Sequence, residues 1–92
     1  MDELFKALAD RTRRLILDEL AEHDGQTLYE ICARLASHEI GSSRQAVSQH
    51  LAVLEKAGLI TTERRGRQKF HFFDPAPLDH IAKRWPTESS EP

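Results

Sequence analysis

The chain has 92 residues, of which 39% are hydrophobic and 30% are charged, a balance that is typical of one small globular domain. No apolar run approaches the roughly 18–20 residues of a membrane-spanning helix, and the acidic start at Met1, Asp2 and Glu3 is unlike a secretory signal peptide. A single cysteine, Cys32, excludes an internal disulfide and indicates a reducing compartment, so we expect a cytoplasmic protein without a membrane partner.

The formal net charge of −2 hides an uneven distribution along the chain. Residues 42–71 carry six basic and two acidic side chains, a local charge of +4, whereas residues 1–41 carry −4 and residues 72–92 carry −2. Salt screens electrostatic attraction beyond about 8 Å under physiological conditions, so the local charge matters more than the total for binding phosphate. The pattern favours a nucleic-acid contact in the middle of the chain.

Two helices are predicted before residue 25. Residues 2–9 form the first, because their apolar side chains repeat at helical spacing, although a helix of this length is not stable alone. Asp10 is the predicted N-cap of the second, over residues 11–22. Its first turns carry an arginine cluster, which we interpret mainly as a solvated face: Arg11, Arg13 and Arg14.

A third and a fourth helix follow, each with a predicted capping box. Thr27 and Glu30 have the spacing of such a box and open the third helix. A connection over residues 36–41 leads to a second box at residues 42–45, which places Gln45 in a capping role at the start of the fourth helix. The glycine in the sequence LEKAGL (54–59) then ends that helix.

The fourth helix has two unlike faces. Val47, Leu51 and Leu54 form an apolar face, with His50 at its margin as a predicted half-buried packing residue. The opposite face is polar, small and nearly uncharged, which suits hydrogen bonding to base edges in the major groove of DNA. An ordinary amphipathic surface helix has the same periodicity and remains the alternative. The candidates for base readout are Ser43, Arg44, Gln45, Ser48 and Gln49.

A cationic β-hairpin is predicted directly after this helix. Residues 59–63 and 68–73 have the composition and alternation of strands, and residues 64–67 form a basic turn that contains a glycine. A charged hairpin tip serves either solubility or phosphate binding, and its position beside a recognition helix favours phosphate binding. The candidates for contact with the DNA backbone are Arg64, Arg65, Arg67 and Lys69.

The last helix is predicted between the proline-rich break at residues 74–77 and Pro86, and residues 87–92 are predicted to be a disordered polar tail. The first and last helices carry more apolar side chains than a small domain buries, which predicts a two-fold subunit interface. The alternative is that these side chains close the core of one protomer. The interface candidates are Leu4, Phe5, Leu8, Leu78, Ile81, Ala82 and Trp85.

Together these elements predict a mostly α fold with a small β-hairpin, a winged helix-turn-helix over residues 1–86 in the order α-α-α-α-β-β-α. This fold places the fourth helix in the major groove of double-stranded DNA and the hairpin, or wing, on the backbone, and a homodimer presents two such helices about 34 Å apart. No nucleophile–base pair, glycine-rich phosphate loop or carboxylate pair indicates an enzyme. A winged-helix module that binds protein instead of DNA is the alternative function.

The chain resembles the ArsR-type bacterial repressors in three segments: FKALADRTRR (5–14), RQAVSQHL (44–51) and LEKAGL (54–59). The sequence RGR (65–67) and the dipeptide DP (74–75) resemble the wing of that family and its exit. The resemblance covers nearly the whole chain. It implies a dimeric winged-helix repressor whose terminal helices form the subunit interface.

The resemblance also bears on metal sensing. Metal-sensing members carry two or more cysteines on the third helix, whereas this chain has only Cys32, and one thiolate cannot form a multi-sulfur site. Other members bind zinc on the last helix through Asp and His pairs, but Asp79 and His80 are adjacent here and point about 100° apart. We therefore expect no metal and no cofactor, as in the metal-independent branch, and the sequence does not indicate the inducing signal.

Overall fold

A computed structural model describes residues 1–87, and its elements follow the predicted order α-α-α-α-β-β-α. They are α1 (Asp2–Leu8), α2 (Arg11–Glu22), α3 (Leu28–Ser37), α4 (Arg44–Lys56), β1 (Ile60–Arg65), β2 (Gln68–Phe73) and α5 (Leu78–Arg84). The predicted mostly α fold with one hairpin is confirmed. No helix in the described range has the length and apolarity to cross a membrane. Most of the predicted tail, residues 88–92, lies outside the described residues.

The core forms where α1, α2, α3 and α4 meet the start of β1. Each of these elements contributes apolar side chains, as the helical spacing predicts. The fully buried large side chains are Ile16, Leu20, Val47, Leu54, Leu59 and Ile60, together with Ile31 and Leu35. This packing holds one face of α4 against the other helices and leaves the opposite face free.

Two arginines of α2 hold the end of the short helix α1. The Arg13 guanidinium donates to the carbonyl oxygens of Lys6 (2.8 Å) and Ala7 (2.9 Å), and Arg14 donates to that of Leu8 (2.8 Å). The last carbonyls of a helix lack intrahelical partners, so these bonds stabilise a helix that is too short to stand alone. The interpretation of the arginine cluster as a solvated face is therefore wrong for the half-buried Arg13, whereas Arg14 is exposed, as predicted, and donates its bond at the surface.

One of the two predicted capping boxes forms. Thr27 and Glu30 exchange both hydrogen bonds at the start of α3, as predicted. At the start of α4 the N-cap is Ser43, whose hydroxyl accepts from the backbone N–H of Ala46 at 3.0 Å. Ala46 therefore occupies the third helical position, and the capping role predicted for Gln45 is wrong. The Gln45 side chain is exposed and carries no such duty.

The connection between α3 and α4 differs from its predicted bounds because α3 continues through Ser37. Glu39 lies in this connection with φ of 60°, in the left-handed region that disfavours a residue with a side chain. The connection is tied to α2 through the buried Glu19, whose carboxylate contacts the His38 imidazole and lies 3.5 Å from the Arg34 guanidinium. These contacts fix the path by which the chain enters α4.

The wing is a two-stranded antiparallel hairpin in which Ile60 pairs with Phe73 and Arg65 pairs with Gln68. This register leaves two residues, Gly66 and Arg67, in the turn, so the predicted four-residue turn is too wide. Gly66 has φ of 62°, which glycine adopts at little energetic cost. Arg64 and Arg65 therefore belong to β1 and not to the turn in which the sequence analysis placed them.

The base of the wing is attached to the connection between α2 and α3. His71 pairs with Gln26 in an isolated bridge: its backbone N–H donates to the Gln26 carbonyl at 2.8 Å, and its ring Nδ1 donates to the same oxygen at 2.9 Å. Gly25, which donates to the His71 carbonyl at 3.0 Å, has φ of 76°. A Cβ atom there would lie 3.0 Å from the Phe72 ring. A glycine is therefore needed at position 25 so that the wing can pack against this connection, and the C-cap of α2 is His23.

Candidate nucleic-acid interface

The N-terminal half of α4 presents the predicted reading face to solvent. The five side chains proposed for base readout are all exposed, while Val47, Leu51 and Leu54 on the opposite face are buried. No acidic residue lies in the first turn, so the positive end of the helix dipole is not neutralised there. The exposed set consists of Ser43, Arg44, Gln45, Ser48 and Gln49.

The four predicted wing cations are exposed, but they differ in their surroundings. Arg65 is bound to Glu63, with its Nε 3.1 Å from Oε1, and its guanidinium lies 5.2 Å from the centroid of the Phe70 ring. Within residues 1–87, Arg64, Arg67 and Lys69 form no ion pair. Three of the four cations are therefore free to meet an external anion.

An open cleft of about 410 Å³ joins the reading face to the wing. Arg44 and Ser48 of α4 line it together with Arg67 and Lys69 of the wing, so part of each predicted group meets on one concave surface. Glu55 is the one acidic residue among the lining residues of the described chain. The other predicted residues lie outside this lining: Ser43, Gln45, Gln49, Arg64 and Arg65. The remaining lining residues are Thr27, Leu28, Tyr29, Leu51, Ala52, Gln68 and His71.

Tyr29 is the member of this surface that sequence reasoning missed. It lies in the first turn of α3 and lines the cleft, and the residue is 72% exposed to solvent. The phenol group is a hydrogen-bond donor on a rigid aromatic ring, so it suits contact with a phosphate or sugar oxygen. The signal in the sequence is an aromatic residue that falls off the apolar face formed by Ile31 and Leu35.

A second exposed surface is formed by the first and last helices, α1 and α5. None of the residues of α5 is buried, although Leu78 and Ile81 pack partly against the core. Trp85 is the C-cap residue of this helix, and its side chain is exposed (56%), with its ring 6.1 Å from the Phe5 ring of α1, centroid to centroid. Of the interface candidates, Phe5 and Trp85 therefore lie side by side, whereas Leu4 is only 5% exposed and belongs to the core.

Potential metal ligands are dispersed through the described residues, where no group of three or more His, Cys, Asp or Glu side chains is placed to hold an ion. Cys32 is a half-buried free thiol. Asp79 forms an ion pair with Lys83 at 3.0 Å, so its carboxylate is already engaged on α5.

Comparisons with known proteins agree with this architecture. A model of a helix-turn-helix domain family matches residues 8–63. The uncharacterized HTH-type transcriptional regulator YuzN of Bacillus subtilis (strain 168) is 48% identical over 85 residues, which are 91% of this chain and 92% of that protein. The transcriptional repressor SdpR of the same organism is 36% identical over 73% of this chain and 68% of its own length.

Among solved structures, an ArsR-like transcriptional regulator from Rhodococcus sp. RHA1 superposes with a TM-score of 0.79 at 32% sequence identity. The match covers 90% of this chain and 71% of the Rhodococcus chain. The matched family model spans α2, α3, α4 and most of β1, which contain the helix-turn-helix and its reading face. The chain therefore belongs to the ArsR-type winged-helix transcriptional regulators, with α3 and α4 as its helix-turn-helix.

Proposed function

We propose that the protein is a repressor that binds double-stranded DNA as a homodimer, with α4 in the major groove and the wing on the backbone. The observation that carries the proposal is the cleft that joins the exposed polar face of α4 to the free cations of the wing. Readout belongs to the short polar side chains of α4, because base edges are distinguished by hydrogen bonds. The repressor role is supported by the similarity to SdpR.

The charge of the cleft favours DNA over a protein partner. Arg44, Arg67 and Lys69 outnumber Glu55 on its walls, and such an excess of cations suits a continuous row of phosphates. A protein-binding module has no need for this excess. Tyr29 adds a neutral donor on the same surface, so we place one DNA strand across the cleft from Tyr29 to the wing.

The terminal helices support a homodimer. A seven-residue helix without a buried residue, such as α5, gains little stability within its own protomer. A second copy that covers Trp85 and Ile81 would remove apolar surface from water and stabilise the helix. The proposed interface consists of Phe5, Leu8, Leu78, Ile81, Ala82 and Trp85, without Leu4.

We also propose that regulation does not depend on a bound metal. The donor chemistry supports this, since Cys32 is the only cysteine of the chain and Asp79 is already paired with Lys83. A soft metal site needs several thiolates or imidazoles at one point. The regulator homologues support a protein without enzymatic activity.

The test is duplex binding across a salt series. The probes are a duplex selected from a random library by the wild-type protein and a scrambled duplex of equal composition. Arg67→Ala should lower the slope of log affinity against log salt by about 1, because one phosphate contact is lost. Gln49→Ala should lower the preference for the selected duplex and leave the slope unchanged.

Lys56→Ala is the matched control, because this lysine lies at the far end of α4 and pairs with Glu3 at 3.5 Å. It should change neither the slope nor the preference. Binding without salt dependence would contradict the proposal and favour the protein-binding alternative. Equal effects of Arg67→Ala and Gln49→Ala would contradict the division of labour between the wing and α4.

A further inference from the structure

We infer that Arg13 is a positioning residue for DNA recognition, which fixes the roll of α4 against α1 through His50. The inference rests on the proposed DNA-binding function and adds to it a residue that lies outside the reading face and the wing. Arg13 is half-buried on α2 and His50 is half-buried on α4. The Arg13 Nη1 lies 3.2 Å from the His50 Nδ1.

All three nitrogens of the Arg13 guanidinium are engaged. Nε and Nη2 donate to the carbonyl oxygens of Ala7 and Lys6 at the end of α1, and Nη1 faces His50. Arginine only donates hydrogen bonds, so the His50 Nδ1 must be the acceptor in this contact. One rigid, planar group therefore connects the last turn of α1 to the middle of α4.

The other polar link between these two helices is weaker. Glu3 at the start of α1 lies 3.5 Å from Lys56 at the end of α4, so the two helices run antiparallel. Both of these side chains are largely exposed, and exposed ion pairs contribute little to stability. The Arg13–His50 contact is partly buried and lies next to the reading half of α4, since His50 directly follows Gln49.

A small roll of α4 would impair base readout more than backbone binding. A rotation of about 10° moves a side-chain tip by about 1 Å on a helix whose radius with side chains is about 5–6 Å. Hydrogen bonds to base edges weaken steeply with such a displacement, whereas long wing side chains can still reach a phosphate. Loss of the Arg13–His50 contact should therefore reduce discrimination between duplexes and leave the affinity for a scrambled duplex nearly unchanged.

The test compares His50→Asn with His50→Leu and Arg13→Lys in the full-length protein. Asparagine places an acceptor oxygen close to the position of Nδ1, whereas leucine fills similar space without an acceptor. Lysine keeps the charge of Arg13 but lacks the planar fork. The measurements are the affinity ratio between the selected and scrambled duplexes, the salt slope, and thermal unfolding as a control for folding.

The affinity ratio should fall by about tenfold or more in His50→Leu and Arg13→Lys, which corresponds to the loss of about one good base contact. It should stay within about twofold of wild type in His50→Asn, and the salt slope should be unchanged in all three variants. The double variant Arg13→Lys with His50→Leu should be no worse than Arg13→Lys alone, because that substitution already removes the contact with His50.

An unchanged ratio in His50→Leu overturns the inference, as does an equal loss in His50→Asn and His50→Leu, because the acceptor would then be irrelevant. A purely structural role predicts equal losses for both duplexes, which also overturns it. If Arg13→Lys is unfolded at the assay temperature, the two His50 variants decide the outcome. Failure of the proposed function is distinct, because the wild type itself would then bind no duplex in a salt-dependent way.

Discussion

Arg64 and Lys69 lie directly opposite each other on the two strands of the wing, so their side chains leave the same face of the hairpin. Like charges in this position destabilise a sheet. The neighbouring cation Arg65 is relieved by Glu63, but within the described residues Arg64 and Lys69 pair with no carboxylate. The wing thus holds a concentration of positive charge that a phosphate group would neutralise.

Replacement of Lys69 by threonine should therefore change stability and binding in opposite directions. We expect Lys69→Thr to raise the free energy of unfolding by about 0.2–0.5 kcal/mol, because the cross-strand repulsion disappears. The slope of log affinity for duplex DNA against log salt should fall by about 1. Urea unfolding and a salt series measure the two effects. Gln68→Thr, a neutral change at the adjacent position, should leave the slope unchanged, and a parallel fall in stability and affinity would contradict the prediction.

Removal of the Tyr29 hydroxyl should weaken DNA binding without altering its salt dependence. We expect Tyr29→Phe to lower the affinity for selected and scrambled duplexes alike by about twofold to twelvefold, as for one lost hydrogen bond of about 0.5–1.5 kcal/mol. The slope should stay constant because a neutral donor releases no counterion. Fluorescence anisotropy at several salt concentrations tests this. If the variant binds DNA with wild-type affinity, the Tyr29 hydroxyl does not contact DNA.

Truncation of Trp85 should weaken the proposed homodimer. A large aromatic side chain at the centre of an interface commonly contributes about 2 kcal/mol, so we expect Trp85→Ala to raise the dimer dissociation constant by at least about tenfold. Analytical ultracentrifugation over a concentration range measures this constant. Tyr29→Ala is the matched control, because Tyr29 is also a large exposed aromatic but lies in the cleft proposed to bind DNA. A dimer of unchanged strength in Trp85→Ala would argue that α5 lies outside the interface.

Relief of the left-handed backbone at Glu39 should stabilise the protein. Glu39 has φ of 60°, a conformation that costs a residue with a side chain about 1 kcal/mol more than glycine. We expect Glu39→Gly to raise the free energy of unfolding by a few tenths to about 1 kcal/mol, since the greater freedom of glycine in the unfolded chain offsets part of the gain. Glu39→Ala removes the same carboxylate without relieving the backbone and should give no such increase. If both substitutions raise the free energy of unfolding equally in urea, the increase comes from removal of the Glu39 charge and not from relief of the backbone.

Acid should remove the stabilisation that the Asp10 N-cap provides. The hydrogen bond from the backbone N–H of Arg13 lowers the pKa of Asp10 below its ordinary value, and the positive charge of Arg13 contributes further in the same direction. A lowered native pKa stabilises the fold above the unfolded pKa of about 4, and this stability disappears as the pH falls through the native value. We expect a contribution of less than about 1 kcal/mol, because the carboxylate remains largely solvated.

Asp10→Asn provides the comparison for this pH dependence. Asparagine keeps the capping oxygen but does not titrate, so the difference in unfolding free energy between wild type and Asp10→Asn should shrink as the pH falls from about 6 to about 3. Urea unfolding at each pH measures it. A difference that stays constant across this range would contradict the assignment.

The sequence predicts those features that depend on local periodicity. The helical periodicity of the apolar side chains in α4 identifies both of its faces, and Val47 and Leu51 are buried as this periodicity predicts. The capping box of Thr27 and Glu30 is equally local, since both partners lie within one helical turn. Where two adjacent residues of the same type can both serve as the N-cap, as Ser42 and Ser43 can at the start of α4, the backbone path of the preceding connection decides between them.

Features that depend on tertiary contacts could not be predicted from the sequence. Arg13 looks like a surface cation in the chain, but its partners lie on α1 and, 37 positions away, at His50. Tyr29 becomes part of a cleft only because α4 and β2 pack beside α3. The strand positions of Arg64 and Arg65 follow from the hairpin register, which depends on the two-residue turn at Gly66 and Arg67.

The bridge between His71 and Gln26 divides the wing into a stem and a tip. Thr62 pairs with His71, so residues 63–70 project beyond the point at which the hairpin is anchored to the helical body. Changes in the length or charge of this tip leave the junction at Gly25 and Gln26 intact. If the wing binds the DNA backbone as proposed, substitutions in this tip should change the affinity for the sugar-phosphate chain without altering the choice of operator.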